Sequence, residues 1–199
     1  MRRVGVGLVL VAVLGTGCAA PAAGGPGVVV PGAPGEPAQV LPGAEVRRTP
    51  PVSPTDVAFV TRMIPHHRQA LEMAALAPGR AADPRVLAVA ERIEAVQGAE
   101  IAVLESWLVG REQPADGAHG AGHEMPGMAT PARLAALAAA SGPAFDRLFV
   151  ELMTAHHQGA VTMAQEVDLA GTDPVVDGIA RDVASTQRVE IERMRDLLG

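Results

Sequence analysis

Two stretches of the chain carry side chains suited to ion chemistry, and they are versions of one another. Met63-Ile64-Pro65-His66-His67-Arg68-Gln69-Ala70-Leu71-Glu72-Met73-Ala74 recurs as Met153-Thr154-Ala155-His156-His157-Gln158-Gly159-Ala160-Val161-Thr162-Met163-Ala164, an offset of 90 residues. Without a gap the same offset pairs Asp56 with Asp146, Phe59 with Phe149, Asp83-Pro84 with Asp173-Pro174, Gln97 with Gln187 and Glu100-Ile101 with Glu190-Ile191. A constant spacing of this kind reads as a duplicated unit. Imidazole nitrogen and thioether sulfur together suit a soft or borderline ion, copper foremost. The candidate ligands are therefore Met63, His66, His67 and Met73 with Met153, His156, His157 and Met163.

Read as a helix, Asp56, Phe59, Val60, Met63, His66, His67, Ala70, Met73 and Ala74 fall within an arc of about 140°, the width of a core-facing stripe. Adjacent histidines diverge by about 100°, so one helix presents a single ion with one imidazole more easily than with two. In the following helix Val86, Ala90, Ile93, Gln97, Ile101, Leu104 and Leu108 form the apolar arc, with Gln97 in its middle and Glu100 at its edge. Buried polar groups must find partners, so Gln97 and Glu100 are expected to bond His66 or His67, and Gln187 and Glu190 to bond His156 or His157. Two uses stay open on these residues alone: a ligand set with Gln and Glu behind it, or a hydrogen-bond network that only fixes helix register. Buried methionines are likewise ordinary core filler until something places them beside a ligand. Imidazole ligands compete with protons, so copper held by ordinary histidines should be lost as pH falls through about 6.5.

A second place for chemistry is the Gly-rich stretch 113–128, which holds His119, His123, Met125 and Met128. It reads as a flexible loop and as a secondary, weaker metal site, because any ion there must offset the entropy of ordering it.

The elements that position these residues follow from start and stop signals. Ser53-Pro54-Thr55-Asp56 opens a helix predicted over 54–77, Pro65 removing one backbone bond and bending it. Asp83-Pro84 opens a helix over 84–109, Thr130-Pro131 a short one over 132–140, Ser141-Gly142-Pro143 one over 143–170, and Asp173-Pro174 one over 174–198. Two antiparallel pairs, each with a buried polar strip, close most simply into one four-helix bundle with pseudo-two-fold symmetry, repeats spanning about 53–110 and 143–199 and a linker 111–142. Composition agrees: 48% hydrophobic residues with only 2% aromatic ones make an aliphatic core of Ala, Val, Leu, Ile and Met, the material of packed helices.

Ahead of the bundle, Met1-Arg2-Arg3 and the apolar run Val4 to Leu14 form a signal peptide over 1–17, too short for a permanent span. Cys18, the single cysteine, follows small residues in a pattern like a bacterial lipobox, so it is the expected lipidation site and the protein should be exported and anchored to the outer face of the cell membrane or held in the periplasm or cell wall space. Residues 18–52, dense in Pro and Gly, read as a disordered tether. A formal charge of −6 argues against a nucleic-acid partner. A di-iron oxidase needs Glu-x-x-His pairs that the chain lacks, and a zinc hydrolase needs three clustered ligands that adjacent histidines do not supply.

His-His-x-x-Ala-x-x-Met-Ala followed by Gln-x-x-Glu-Ile, twice over, resembles the bacterial family called domain of unknown function 305, over roughly 53–199. The resemblance implies a ferritin-like bundle outside the cytoplasm, copper association in some members, and no enzymatic activity to carry over. The expected function is envelope-anchored copper binding, buffering or tolerance; the alternative is a non-catalytic envelope scaffold, with a homodimer compatible with either.

Overall fold

Each helix starts where its capping chemistry puts it. In the computed structural model, which describes residues 28–30, 37–41, 52–114 and 125–198, the Ser53 hydroxyl accepts from Thr55 N at 3.2 Å and Pro54 opens α1, Pro54–Ala74. Asp83 accepts from Arg85 N at 2.8 Å at the start of α2, Pro84–Gly110, and Thr130 from Arg133 N at 3.3 Å at the start of α3, Pro131–Ala139. Helix α4 covers Gly142–Ala170 and α5 Pro174–Leu198, Asp173 Oδ1 accepting from Val175 N at 2.9 Å. Helix α1 continues unbroken through Pro65 but stops at Ala74, short of the expected 77. There the backbone tightens into i to i+3 bonds, Leu76 N to Met73 O and Ala77 N to Ala74 O, before Pro78.

The chain divides into two compact units, 1–49 and 50–199. Within the first, the segment expected to be a disordered tether contains a three-residue antiparallel ladder, β1 (Val28–Val30) against β2 (Gln39–Leu41), Val29 opposite Val40. β-branched residues suit a pleated ladder, although a two-stranded pair of this length has little stability of its own. The second unit is all-α. Its helices pack as α1 on α2 and α4 on α5, joined chiefly along a seam between α1 and α4, the two helices that carry the histidines. No helix among the described residues is long and apolar enough to cross a membrane.

The apolar interior falls into two clusters at opposite ends of the helices. One contains Phe59, Met63 and Ile64 of α1, Leu104 and Trp107 of α2, Met163 and Val167 of α4, and Val176 and Val183 of α5. The other contains Met73 and Ala74, Val86 and Ile93, Phe149 and Met153, and Ile191 and Met194. Between them, on all four long helices, lie His66, His67, Gln97, His156, His157, Gln187 and Glu190, all buried.

Asp56 and Asp146, 90 positions apart, tie the halves together in matching ways. Asp56 on α1 accepts from Thr172 N at 3.1 Å and Asp173 N at 2.9 Å, in the turn before α5. Asp146 on α4 accepts from Ala82 N at 3.1 Å and Asp83 N at 2.9 Å, in the turn before α2. Asp56 is fully buried whereas Asp146 is half-buried. Losing Asp56 strands buried N–H groups, so Asp56→Ala should cost about 1–3 kcal/mol by urea denaturation and Asp146→Ala less.

Candidate metal centre

The four imidazoles sit at 0% exposure, inside the layer between the two apolar clusters. His66 and His156 face each other across the α1–α4 seam with ring centroids 3.8 Å apart, and His156 and His157 are 6.3 Å apart. Each ring uses its Nε2. His66 Nε2–H donates to Pro126 O at 3.1 Å, and His156 Nε2–H donates to His66 O at 2.9 Å. His157 Nε2–H donates to Glu190 Oε2 at 2.8 Å, while His67 Nε2 lies 2.7 Å from Glu100 Oε2, close enough for an ion pair but too bent for a hydrogen bond.

Carbonyl and carboxylate oxygens only accept, which fixes the tautomer: for His66, His156 and His157 the proton is on Nε2 and the lone pair on Nδ1. The Nδ1 atoms of all four histidines are buried and have no hydrogen-bond partner in the protein.

Burial sets the charge state. Removal from water pushes His66 down from 6.5 to about 4, with His67, His157 and Arg62 adding like charge and the bond to Pro126 only partly offsetting them. His156 is lowered as well, first by burial and then by His66, His157 and His67. The expectation that protons would displace an ion near 6.5 is therefore corrected for these two rings, which stay neutral well below it.

Several sequence expectations change in detail. Glu100 and Glu190 approach His67 and His157 as expected, although Glu100 keeps 19% of its side chain exposed against 4% for Glu190. Gln97 and Gln187, although only 1% exposed, bond no imidazole: neither amide atom of either has a partner in the protein. Two Nε2 atoms face backbone carbonyls and two face the glutamates, and the four Nδ1 atoms take no bond from either glutamine amide. Sequence reasoning did not reach the carbonyls of Pro126 and His66, because main-chain acceptors carry no residue signature. The methionines divide evenly: Met63 and Met163 belong to one apolar cluster, Met73 and Met153 to the other, all at most 1% exposed. Of the loop site, His119 and His123 lie outside the described residues, and Met125 and Met128 are half-buried in a segment docked on the bundle.

Among the described residues no group of three or more His, Cys, Asp or Glu is arranged to hold an ion. What the layer offers is imidazole nitrogen, with thioether sulfur in the apolar clusters on either side of it.

The family described as domain of unknown function (DUF305) matches residues 56–198. A DUF305 protein from Streptomyces coelicolor, described as secreted, is 32% identical over 72% of this chain and 91% of its own, with a TM-score of 0.68. A DUF305 fragment from Deinococcus radiodurans is 36% identical over 75% and 99%, with a TM-score of 0.69. CopM in its Cu(II)-bound form is 33% identical over 71% and 94%, with a TM-score of 0.62, and CopM has also been solved with Cu(I) and with silver. No curated protein matches the chain at a significant level.

The shifted imidazole makes stability depend on pH with a definite sign. Between about 4 and 6.5 the unfolded chain takes up a proton at His66 that the folded chain refuses, so stability is highest above 6.5 and falls as pH drops to about 4. A shift of this size corresponds to ~3 kcal/mol from His66 alone. Chemical denaturation across that range should show the loss, and His66→Gln should reduce it, leaving the part of the same sign that His156 contributes. At neutral pH, Glu190→Leu should cost more than Glu100→Leu, by about 1 kcal/mol, because the first leaves a fully buried Nε2–H without its acceptor.

Proposed function

The chain belongs to the DUF305 family, and on that premise we propose that it is an exported copper-binding protein whose bundle interior takes up Cu(I). The observation that carries the reading is the set of four buried Nδ1 atoms, on His66, His67, His156 and His157, without a partner in the protein. Leaving such groups unpaired is costly, and hydrogen bonds at Nε2 are the usual way a protein orients a histidine for metal binding through its other nitrogen. The thioethers of Met63, Met73, Met153 and Met163 border the same layer and supply the soft component of the donor set. Bound there, copper would be held away from water and oxygen, which suits buffering or tolerance at the envelope; CopM, with its copper-bound and silver-bound forms, supports the metal class, and the secreted Streptomyces relative supports export.

Anchoring through a lipid on Cys18 and a weaker second site around His119, His123, Met125 and Met128 complete the proposal. The linker would capture ions and the bundle would retain them, since ligands on packed helices need no ordering at each binding event. The scaffold reading also has an observation behind it: a protein oxygen faces each Nε2, as a pure register-setting network would require. The free Nδ1 atoms favour the metal.

Competition with a chromophoric Cu(I) chelator separates the two. Replacing His66, His67, His156 and His157 together by Ala should abolish tight Cu(I) binding, while deleting 118–124 should remove only a weaker class of sites. The deletion stops at 124 because Pro126 holds His66. If the quadruple variant folds and binds Cu(I) as tightly as the wild type, the bundle histidines are structural. For the anchor, mass spectrometry should find a diacylglyceryl-modified Cys18 at the mature N-terminus, and an unmodified N-terminus elsewhere would remove it.

A further inference from the structure

The two histidine pairs share a sequence pattern but are not held in the same way. The difference traces to one segment, Met125–Ala129, which crosses the bundle as a strap. Its backbone turns at Gly127, whose φ of +80° is open to glycine at little cost, and it is fastened at three points. Pro126 O accepts from His66 Nε2–H. The amide of Gln69 clamps Ala129 as a second backbone would, Ala129 N donating to Gln69 Oε1 at 2.7 Å and Gln69 Nε2 donating to Ala129 O at 3.0 Å, both residues buried. Finally the strap lies directly against α4: a Cβ at Gly159 would sit 1.8 Å from Pro126 O, and one at Gly127 would sit 2.3 Å from Ala155 O.

Gln69 and Gly159 occupy the same place in the two sequence copies, 90 positions apart. In the first copy this position carries the side chain that grips the strap. In the second it carries no side chain, which is what lets the strap approach. The divergence between the copies at this position thus has one cause, and the cause ends at the ring nitrogen of a proposed copper ligand.

We propose that the Met125–Ala129 strap is the positioning element of His66 in the first histidine pair: Pro126 O holds His66 as its Nε2–H tautomer and leaves Nδ1 as the ligand nitrogen. The second pair is set by the bundle itself, through Glu190 at His157 and the His66 carbonyl at His156. The metal part of this inference rests on the copper reading above; the tautomer part does not. The same segment carries Met125 and Met128 of the proposed loop site, with Met125 next in sequence to the carbonyl that orients the ring.

Two variants loosen the strap from opposite sides. Gly159→Ala, on α4, drives a methyl group into Pro126 O, and Gln69→Leu, on α1, removes the clamp on Ala129 at similar volume. In metal-free protein, nitrogen-15 NMR of the histidine rings should show His66 passing from a single Nε2–H tautomer to a mixture in both variants, while His157, bonded to Glu190, keeps its own as an internal control. Affinity for Cu(I), read against a chromophoric chelator, should fall by about tenfold or more in both, the usual consequence of losing the group behind a ligating histidine. The proposal is overturned if His66 keeps its single tautomer in both variants, or if the tautomer changes and Cu(I) affinity stays at the wild-type value. Should the wild-type protein take up no Cu(I), the copper reading fails by itself, and the tautomer result still decides whether the strap positions His66.

Discussion

A layer of polar side chains cuts the apolar interior of this bundle in two, and the rest of the structure is arranged around its cost. Four imidazoles, two glutamines and a glutamate at the same depth are removed from water between clusters built on Phe59 and Trp107 at one end and Phe145 and Phe149 at the other. Such a layer contributes less to stability than the leucines and valines that would fit in its place. What makes it tolerable is that Nε2 of His66, His156 and His157 donates to a protein oxygen, two of them main-chain carbonyls, and that the carboxylate of Glu100 lies beside Nε2 of His67. What it leaves without a hydrogen-bond partner includes the four Nδ1 atoms and both glutamine amides, and the functional reading follows from that remainder.

Burial explains why two rings of the layer resist protonation. An imidazole in water at mildly acidic pH must lose a proton before it can bind a metal, whereas His66, pushed down to about 4, and His156, also lowered, are neutral beforehand. The 3.8 Å approach of their rings reinforces this, since a charge on one disfavours a charge on the other. The expected cost is acid sensitivity of the fold, since the unfolded chain takes up a proton that His66 refuses when folded.

Much of this arrangement was legible in the sequence because it rests on side-chain types at regular spacings. The helix starts at Pro54, Pro84, Pro131 and Pro174 follow from Ser, Asp and Thr caps before proline, and the burial of His66, His67, Gln97 and Glu190 follows from their place in apolar arcs. What was not legible runs through the main chain. Pro126 O and His66 O take the imidazole protons that Gln97 and Gln187 were expected to share, and no residue type announces a carbonyl that does so. The cross-links from Asp56 to the turn before α5 and from Asp146 to the turn before α2 were hidden for a related reason: Asp56, in a first helical turn, reads as a partner for its own helix, and Asp146 follows from it only through the repeat. One signal was visible, the change from Gln69 to Gly159 inside an otherwise matching motif; its meaning needed the strap that lies between them.

The central claim is that copper binds inside the bundle, on nitrogen atoms that the protein itself leaves unpaired. An anomalous-scattering map from a crystal loaded with Cu(I) tests it most directly. The expected result is a copper peak in the polar layer along the α1–α4 seam, bonded to Nδ1 of at least one of His66, His67, His156 and His157 and to a methionine sulfur. Copper found only on the linker or the surface, with the four Nδ1 atoms bonded to ordered water, would contradict it.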